Sequence, residues 1–378
     1  MADCLGEKLP FSATRQVRDA IYALCRTEDI RFSPSNRRLA IAQFNDNKVA
    51  VFDISISVFE GQKRIAFTGS AEIVSSHLKG PHGIDFLNEQ QIFVANRYGS
   101  ACVFELPLGA AGTCDLTPLA VIGSDERGPG AVAIARKGEG IYEALVCNNF
   151  SNDITKHVLR SDPTLSSPYS EVLIKKWLDI PDGICISNGA ELIAVSNHST
   201  HSVLLFRYSP GLTIDCDPVG VLQEINYPHG LRFMRDNRFI LVASAGSPYV
   251  NIYERGNSDW QGTHKAALSV RVMTDSEFSR NRLNLQEGGP KGIDIDNSMG
   301  VFVTTSEGQP ISFFDLDAIL AGKRRIASAR NGLLRNHKTL GVKIALHRGR
   351  VSAAAFAVLK SSRDTVRGAL KRKFLTAN

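Results

Sequence analysis

The sequence predicts an all-β fold: a six-bladed β-propeller with four-stranded antiparallel blades. An N-terminal strand closes blade six, and a basic, largely helical tail follows. Three observations predict it. Six segments share one strand–turn grammar, they recur at propeller-like spacing, and the last repeat lacks a strand that the N-terminus can supply.

The shared grammar is a Pro- or Gly-containing turn, an apolar strand, a second strand ending in a small or amide residue, and a third usually ending in an aromatic. Repeat one reads Ile30-Arg-Phe-Ser-Pro, Leu39-Ala-Ile-Ala and Val49-Ala-Val-Phe-Asp. Repeat two reads Pro81-His-Gly-Ile-Asp-Phe, Ile92-Phe-Val-Ala-Asn and Ala101-Cys-Val-Phe-Glu. Repeat three is the most degenerate, with Pro129-Gly-Ala-Val-Ala-Ile, Ala144-Leu-Val-Cys-Asn and Ile154 to Leu159. Repeats four, five and six open on Pro181-Asp-Gly-Ile, Pro228-His-Gly-Leu and Pro290-Lys-Gly-Ile. Successive first strands begin 54, 47, 53, 47 and 62 residues apart. Fourth strands follow most repeats, as at Glu171-Val-Leu-Ile and Leu268-Ser-Val-Arg-Val.

Such sheets are apolar on both faces and cannot bury them alone. Stacking them radially covers both faces and leaves only short edges. After its third strand, repeat six runs into the helical pattern Leu316-Asp-Ala-Ile-Leu-Ala. The spare segment Asp19-Ala-Ile-Tyr-Ala-Leu stands where a fourth strand belongs and is expected to close the ring; the competing pattern is a short helix over 15–24. The domains expected are a propeller over 1–316 and a basic extension over 317–378.

Composition narrows the function classes. Of 378 residues, 43% are hydrophobic and 22% charged, as in an ordinary globular protein. No signal-type apolar region opens the chain, and the longest apolar run, Ala353 to Leu359, is too short to span a bilayer. A cytoplasmic location is the expectation. The seven cysteines, Cys4, Cys25, Cys102, Cys114, Cys147, Cys185 and Cys216, form no CxxC or zinc spacing and read as reduced thiols.

Charge is split along the chain. Residues 323–378 hold 15 Lys and Arg against one acid, Asp364, whereas residues 1–322 hold 29 basic and 37 acidic residues. In the tail, Ala355, Val358, Leu359, Val366 and Leu370 share one helical face, with Lys360, Arg363, Arg367, Lys371 and Arg372 opposite or beside it. This basic amphipathic helix suits docking on the acidic body, on a partner protein or peripherally on an anionic membrane surface. No aromatics are interleaved with the charges, which argues against nucleic acid.

In a propeller, the turn before each first strand and the end of each second strand lie on one face. The turns contribute His82, Asp182, His229 and Lys291, the candidate catalytic residues, and blade one contributes Glu28 and Asp29. The second-strand ends contribute Asn96 and Arg97, Asn148 and Asn149, and Asn197 and His198, the candidate ligand-binding set. Two histidines and a carboxylate can hold zinc, and oxygen ligands can hold calcium; Glu28, Asp182, His82 and His229 are the candidate metal ligands. Turns also favour Asp, Asn and Gly for backbone reasons alone. No nucleophile elbow is complete around Ser244, and no phosphate-cradling glycine motif follows a strand. A polar insert, 275–289, is expected to overhang the opening.

The pattern Pro-x-Gly-Ile, then Val-Ala-Asn/Ser, then Val-x-Φ-Phe resembles the NHL-repeat class of six-bladed propellers over about residues 19–316. Relatives of that class include gluconolactonase-like and strictosidine-synthase-like proteins and the peptidyl-hydroxyglycine lyase domain. Resemblance to the lyase implies metal-binding histidines at turns such as those of His82 and His229, although the blade-six turn here carries Lys291. Resemblance to the lactonase-like proteins implies Glu28, Asn148 or Asn149, and Asp182 around a metal. Two function classes follow: a propeller that binds a protein, peptide or small molecule at its channel opening, or a metal-dependent lactonase-type hydrolase or lyase.

Overall fold

A sheet whose strands are apolar on both faces must be covered on both, and stacking around an axis does this. The computed structural model describes residues 3–323 apart from 110, 163, 257–258 and 283. Six sheets are present, each ordered outward from its first strand. Those first strands are Thr27–Phe32, Pro81–Phe86, Pro129–Gly138, Pro181–Ile186, Pro228–Phe233 and Ile293–Asp296. Each touches the first strands of both neighbours, and the contacts run from blade one through blade six and back to blade one. The chain is a closed six-bladed β-propeller.

Aliphatic layers fill the gaps between blades. Val49, Val51, Ile84 and Val94 join blades one and two, and Leu205, Leu231 and Val242 join blades four and five, all at 0–1% exposure. At the axis the backbones come closer than side chains allow. A Cβ on Gly183 would stand 2.0 Å from the His229 carbonyl oxygen of the next blade, and one on Gly292 would stand 2.7 Å from the Ile30 amide nitrogen. Glycine at this corner is therefore a packing requirement. Gly183→Ala is expected to destabilise the protein by about 1–3 kcal/mol or more, because a backbone carbonyl cannot rotate away; urea denaturation would read this as a lower midpoint.

The ring closes at the N-terminus, but not with the strand expected at 19–24. That segment belongs to helix α1, Arg15–Tyr22, where Thr14 caps the first turn by accepting from the Val17 amide at 3.3 Å. Val17 and Ile21, one turn apart, are buried against the blade six–one layer, so the 3.6-residue period prevails over the strand pattern. The closing strand is Lys8–Leu9, antiparallel to Gln309–Asp315, with Lys8 opposite Phe314 and Leu9 opposite Phe313. Two residues suffice because blade six needs only its last edge covered.

Three blades carry additional outer strands in parallel pairing: Phe11–Ala13 and Ala111–Asp115 on blade one, Gly262–Lys265 on blade four and Asp3–Leu5 on blade five. Cys25, Cys102, Cys114, Cys147, Cys185 and Cys216 are free thiols, with Cys102, Cys147 and Cys185 buried. Residues 316–323 are helical, and Met1–Ile319 forms one compact unit. The basic helix expected over 355–372 lies outside the described residues. Among the described residues, no helix is long and apolar enough to cross a membrane.

Candidate functional site at the channel mouth

The pairing register of each of blades one to five slips at its corner, between Thr27 and Ile30, Pro81 and Gly83, Pro129 and Ala131, Pro181 and Gly183, and Pro228 and Leu231. A bulge of this kind re-aims one side chain. Here it marks the residue just past the start of each corner, and Glu28, His82, Asp182, His229 and Lys291 converge although up to 263 positions separate them. Blade three has Gly130 at this position. A Cβ there would lie 1.9 Å from Asn149 Oδ1 and 3.2 Å from Arg97 Nη2, so those two side chains occupy the space the glycine leaves.

Glu28, fully buried, is the hub. Lys291 Nζ donates to both its oxygens at 3.0 and 2.9 Å, and Arg26 Nε donates to Oε1 at 2.6 Å. His229 Nε2 stands 3.5 Å from Glu28 Oε2 and 3.3 Å from Asp182 Oδ2. Asp182 accepts from Arg97 Nη2 at 2.8 Å and from Asn149 Nδ2 at 2.7 Å. His82 Nδ1 lies 2.7 Å from the Gly130 carbonyl, which fixes the proton there and leaves Nε2 to accept from Arg97 Nη2 at 2.7 Å. The two imidazoles stack with centroids 5.2 Å apart.

The environments drive these groups apart electrostatically. Burial, reinforced by Arg97, pushes His82 down to about 3 and keeps it neutral. Burial also opposes charge on His229, but Asp182 and Glu28 outweigh it and hold the ring above its ordinary value. For Glu28, burial is outweighed by Lys291 and the nearby histidines, so its carboxyl stays well below the usual range. Burial likewise works against charge on Lys291, yet Glu28 and Glu287 hold it above the ordinary value. A charged and a neutral imidazole stacked together form a ready donor–acceptor pair.

The expected ligand-binding set divides by alternation along the strand. Arg97, Asn149 and His198 turn into the mouth; His198 Nδ1 lies 3.8 Å from Asp182 Oδ2. Their neighbours turn away, as successive strand residues do. Asn96 bonds the Lys79 amide and the Ser100 carbonyl, Asn197 the Asp179 amide and Thr200, and Asn148 the side chains of Asp153 and Thr155. Asn96 and Asn197 thus fasten turns of their own blades.

The insert over 275–289 reaches the opening. Helix α2, Asp275–Arg280, starts with a complete capping box between Thr274 and Glu277. Gly288 and Gly289 then donate to the Ala245 carbonyl at 2.9 and 2.8 Å. Glu287 comes to 3.2 Å from Lys291 Nζ and 3.6 Å from His198 Nε2. A cavity of about 150 Å³ opens above, walled by Arg26, Glu287, Lys291 and Glu307. Arg26 carries no repeat signature, which is why sequence reasoning gave it no role, whereas Glu287 lies in the insert expected to overhang the opening.

Deeper in the channel lies a second charged layer that sequence reasoning missed: Arg31, Asp85, Arg232 and Asp294, each three residues beyond a mouth residue, joined by Asp29 next to Glu28. Arg31 Nη1 meets Asp29 Oδ1 at 2.5 Å, and Arg232 Nε meets Asp294 Oδ1 at 3.0 Å. Asp29, Asp85 and Asp294 each accept a backbone amide from the following blade: Ile84 at 3.1 Å, Ile134 at 2.8 Å and Phe32 at 2.8 Å. These carboxylates clip blades six, one, two and three together. Burial pushes Asp85 up to about 7 and both Asp29 and Asp294 up to about 6.

Fold and mouth together define a propeller with a buried polar cluster at one end of its channel. No protein-family model matches the sequence, and no curated protein matches it. Solved structures do resemble it. One is a functionally unknown protein from Desulfotomaculum acetoxidans, with a TM-score of 0.51, 10% identity, and coverage of 77% of this chain and 83% of that one. Two more are proteins provisionally assigned as 6-phosphogluconolactonases, both at TM-score 0.48 and 13% identity. The one from Bacteroides uniformis covers 74% of this chain and 78% of its own, and the one from Bacteroides fragilis 76% and 79%. At such identities the likeness is one of fold alone.

Proposed function

We propose that this protein is a binding propeller whose channel mouth takes a small polar molecule carrying both hydrogen-bond donors and acceptors. One observation carries the reading. Among the described residues, six buried side-chain polar atoms lack a hydrogen-bond partner, and three of them, Arg97 Nε, Asn149 Oδ1 and His198 Nδ1, belong to this cluster. Buried polar groups are normally paired, so unpaired ones gathered at one opening call for a ligand. Charge argues that the ligand is neutral or zwitterionic: the four carboxylates Glu28, Asp182, Glu287 and Glu307 already face Arg26, Arg97, Lys291 and the His229 ring, which Asp182 and Glu28 hold above its ordinary value. A thermal-shift screen of amino acids, polyols and hydroxy acids tests this. Compounds that stabilise the parent are expected to lose that effect in Asn149→Leu. Equal shifts in both, or no shift from any compound, would remove the reading.

A second reading, a metal-dependent hydrolase or lyase, rests on one feature. Glu28, His82 and His229 offer ligand atoms close enough to share one ion. His82 Nε2 and His229 Nε2 stand 3.7 and 3.5 Å from Glu28 Oε2, near the roughly 3.3 Å between ligands of a tetrahedral site with 2.0 Å bonds. The His82 Nδ1–carbonyl bond is the outer-shell contact metal-binding histidines make. A bound ion would polarise a substrate oxygen, with Glu28, His82 and His229 as its holders and Asp182 beside them. Against it, Lys291, Arg26 and Arg97 already neutralise the carboxylates an ion would need. Elemental analysis of purified protein decides: stoichiometric zinc or calcium that is lost in His229→Ala establishes the second reading, and sub-stoichiometric metal excludes it.

A further inference from the structure

Blade three breaks the pattern of its neighbours at one interface. At the position where third strands carry Phe104, Phe206 and Tyr253 in blades two, four and five, it carries His157. Two residues earlier, on the same face, stands Thr155. Both side chains are buried. The result is a cavity of about 510 Å³ between blades two and three, within the size range of small-molecule sites. Its lining shares no residue with the cluster around Glu28 and Asp182, although Pro129 and Asn148 adjoin Gly130 and Asn149 of the mouth.

One wall of this cavity is an ordered polar chain. Arg127 Nη1 donates to buried Asp153 at 2.6 Å, and Asn148 Nδ2 donates to Asp153 at 2.8 Å and to Thr155 Oγ1 at 3.1 Å. Because Thr155 Oγ1 accepts from Asn148, its own hydrogen is free to go to His157 Nε2, 2.9 Å away. With that hydrogen donated to Nε2 the ring proton sits on Nδ1, and burial, which pushes the ring down to about 4, keeps His157 neutral. Arg127 remains half-buried at the cavity with further N–H groups. Glu171, the carboxylate on the lining, is held by Lys156 at 2.5 Å and Tyr169 at 2.8 Å. Val146 and Val172, the cross-strand partners of Thr155, give the same wall an apolar strip, and Ile122 of blade two faces it.

We propose that this cavity is a second ligand site, taking a short-chain carboxylic acid. The carboxylate meets Arg127 and the His157 N–H, and the aliphatic chain lies on Ile122, Val146 and Val172. Had the interface served packing alone, an aromatic at 157 would have filled it, as in the neighbouring blades.

Hexanoate and hexanol serve as probes against the full chain, followed by methyl NMR. Hexanoate is expected to saturate and to shift the methyl signals of Ile122, Val146 and Val172 while leaving those of Ile30 and Ile84 in place. His157→Phe, which restores the pattern of the other blades, is expected to weaken hexanoate at least tenfold, and Ser170→Leu, which narrows the part-exposed rim, to do likewise. Hexanol is expected to bind at least tenfold more weakly than hexanoate. The site is overturned if hexanoate does not saturate, if it shifts the Ile30 and Ile84 methyls instead, or if both variants bind it as the parent does. Hexanol binding as tightly as hexanoate overturns the assigned head group. None of these outcomes depends on occupancy of the mouth.

Discussion

Lys291→Met is expected to lower the unfolding free energy by about 3–5 kcal/mol, the usual cost of removing one partner from a buried ion pair. Lys291 supplies two of the three hydrogen bonds to the fully buried Glu28 carboxylate, and without it only Arg26 and the histidines oppose the charge. The loss is one of desolvation, not of packing, because methionine fills much the same volume. It follows that Glu28→Gln in the same chain recovers a large part of the stability, whereas two independent packing defects would add. Denaturant melts of the two single variants and the double variant measure the coupling directly.

The second large effect concerns Asp85. Burial raises this carboxyl from 3.8 to about 7, so the folded protein holds its proton more tightly than the unfolded chain does. A raised carboxyl is a cost that is fully present above pH 7 and fades as the pH falls toward 4, where both states are protonated. Asn in its place has no such cost at any pH. Each tenfold change in proton affinity is worth about 1.4 kcal/mol. The stability difference between parent and Asp85→Asn should therefore move in the parent's favour by roughly 4 kcal/mol between pH 8 and pH 4. The amide also forfeits one of the two backbone acceptances, from Phe86 and Ile134, and that offset is independent of pH. His82 and the other titrating groups cancel in the difference. A pH-independent gap in the melting curves would mean that Asp85 is ionised without penalty.

The extent to which these features were legible in the sequence follows from how each is encoded. The corners are strongly written, since Pro-x-Gly answers to a bulge, a channel-facing side chain and a backbone approach that excludes Cβ, all at once. Blade one lacks that motif, yet Glu28 and Asp29 occupy its place, because repeat register carries the position even where the residues change. Closure was half legible. A spare element at the N-terminus was demanded by the missing strand of repeat six, but a two-residue strand such as Lys8–Leu9 leaves no periodicity to read. The segment after it carried a helix signal, Thr14 followed by Val17 and Ile21, that outweighed its resemblance to a strand. At the second-strand ends, an amide in nearly every repeat drew attention to Asn96 and Asn197, when alternation puts the next residue in the channel. Arg26 and the deeper Asp29, Asp85 and Asp294 layer depend on pairings between blades, which no single repeat records.

Titration of the two channel histidines by NMR tests most directly whether distant corners of the chain form one coupled site. His229 should remain charged above the ordinary histidine midpoint, while His82 stays neutral down to about pH 3. Asp182→Asn should draw the His229 midpoint downward. Two rings titrating independently near the ordinary histidine value of about 6.5, both indifferent to Asp182, would contradict a shared site.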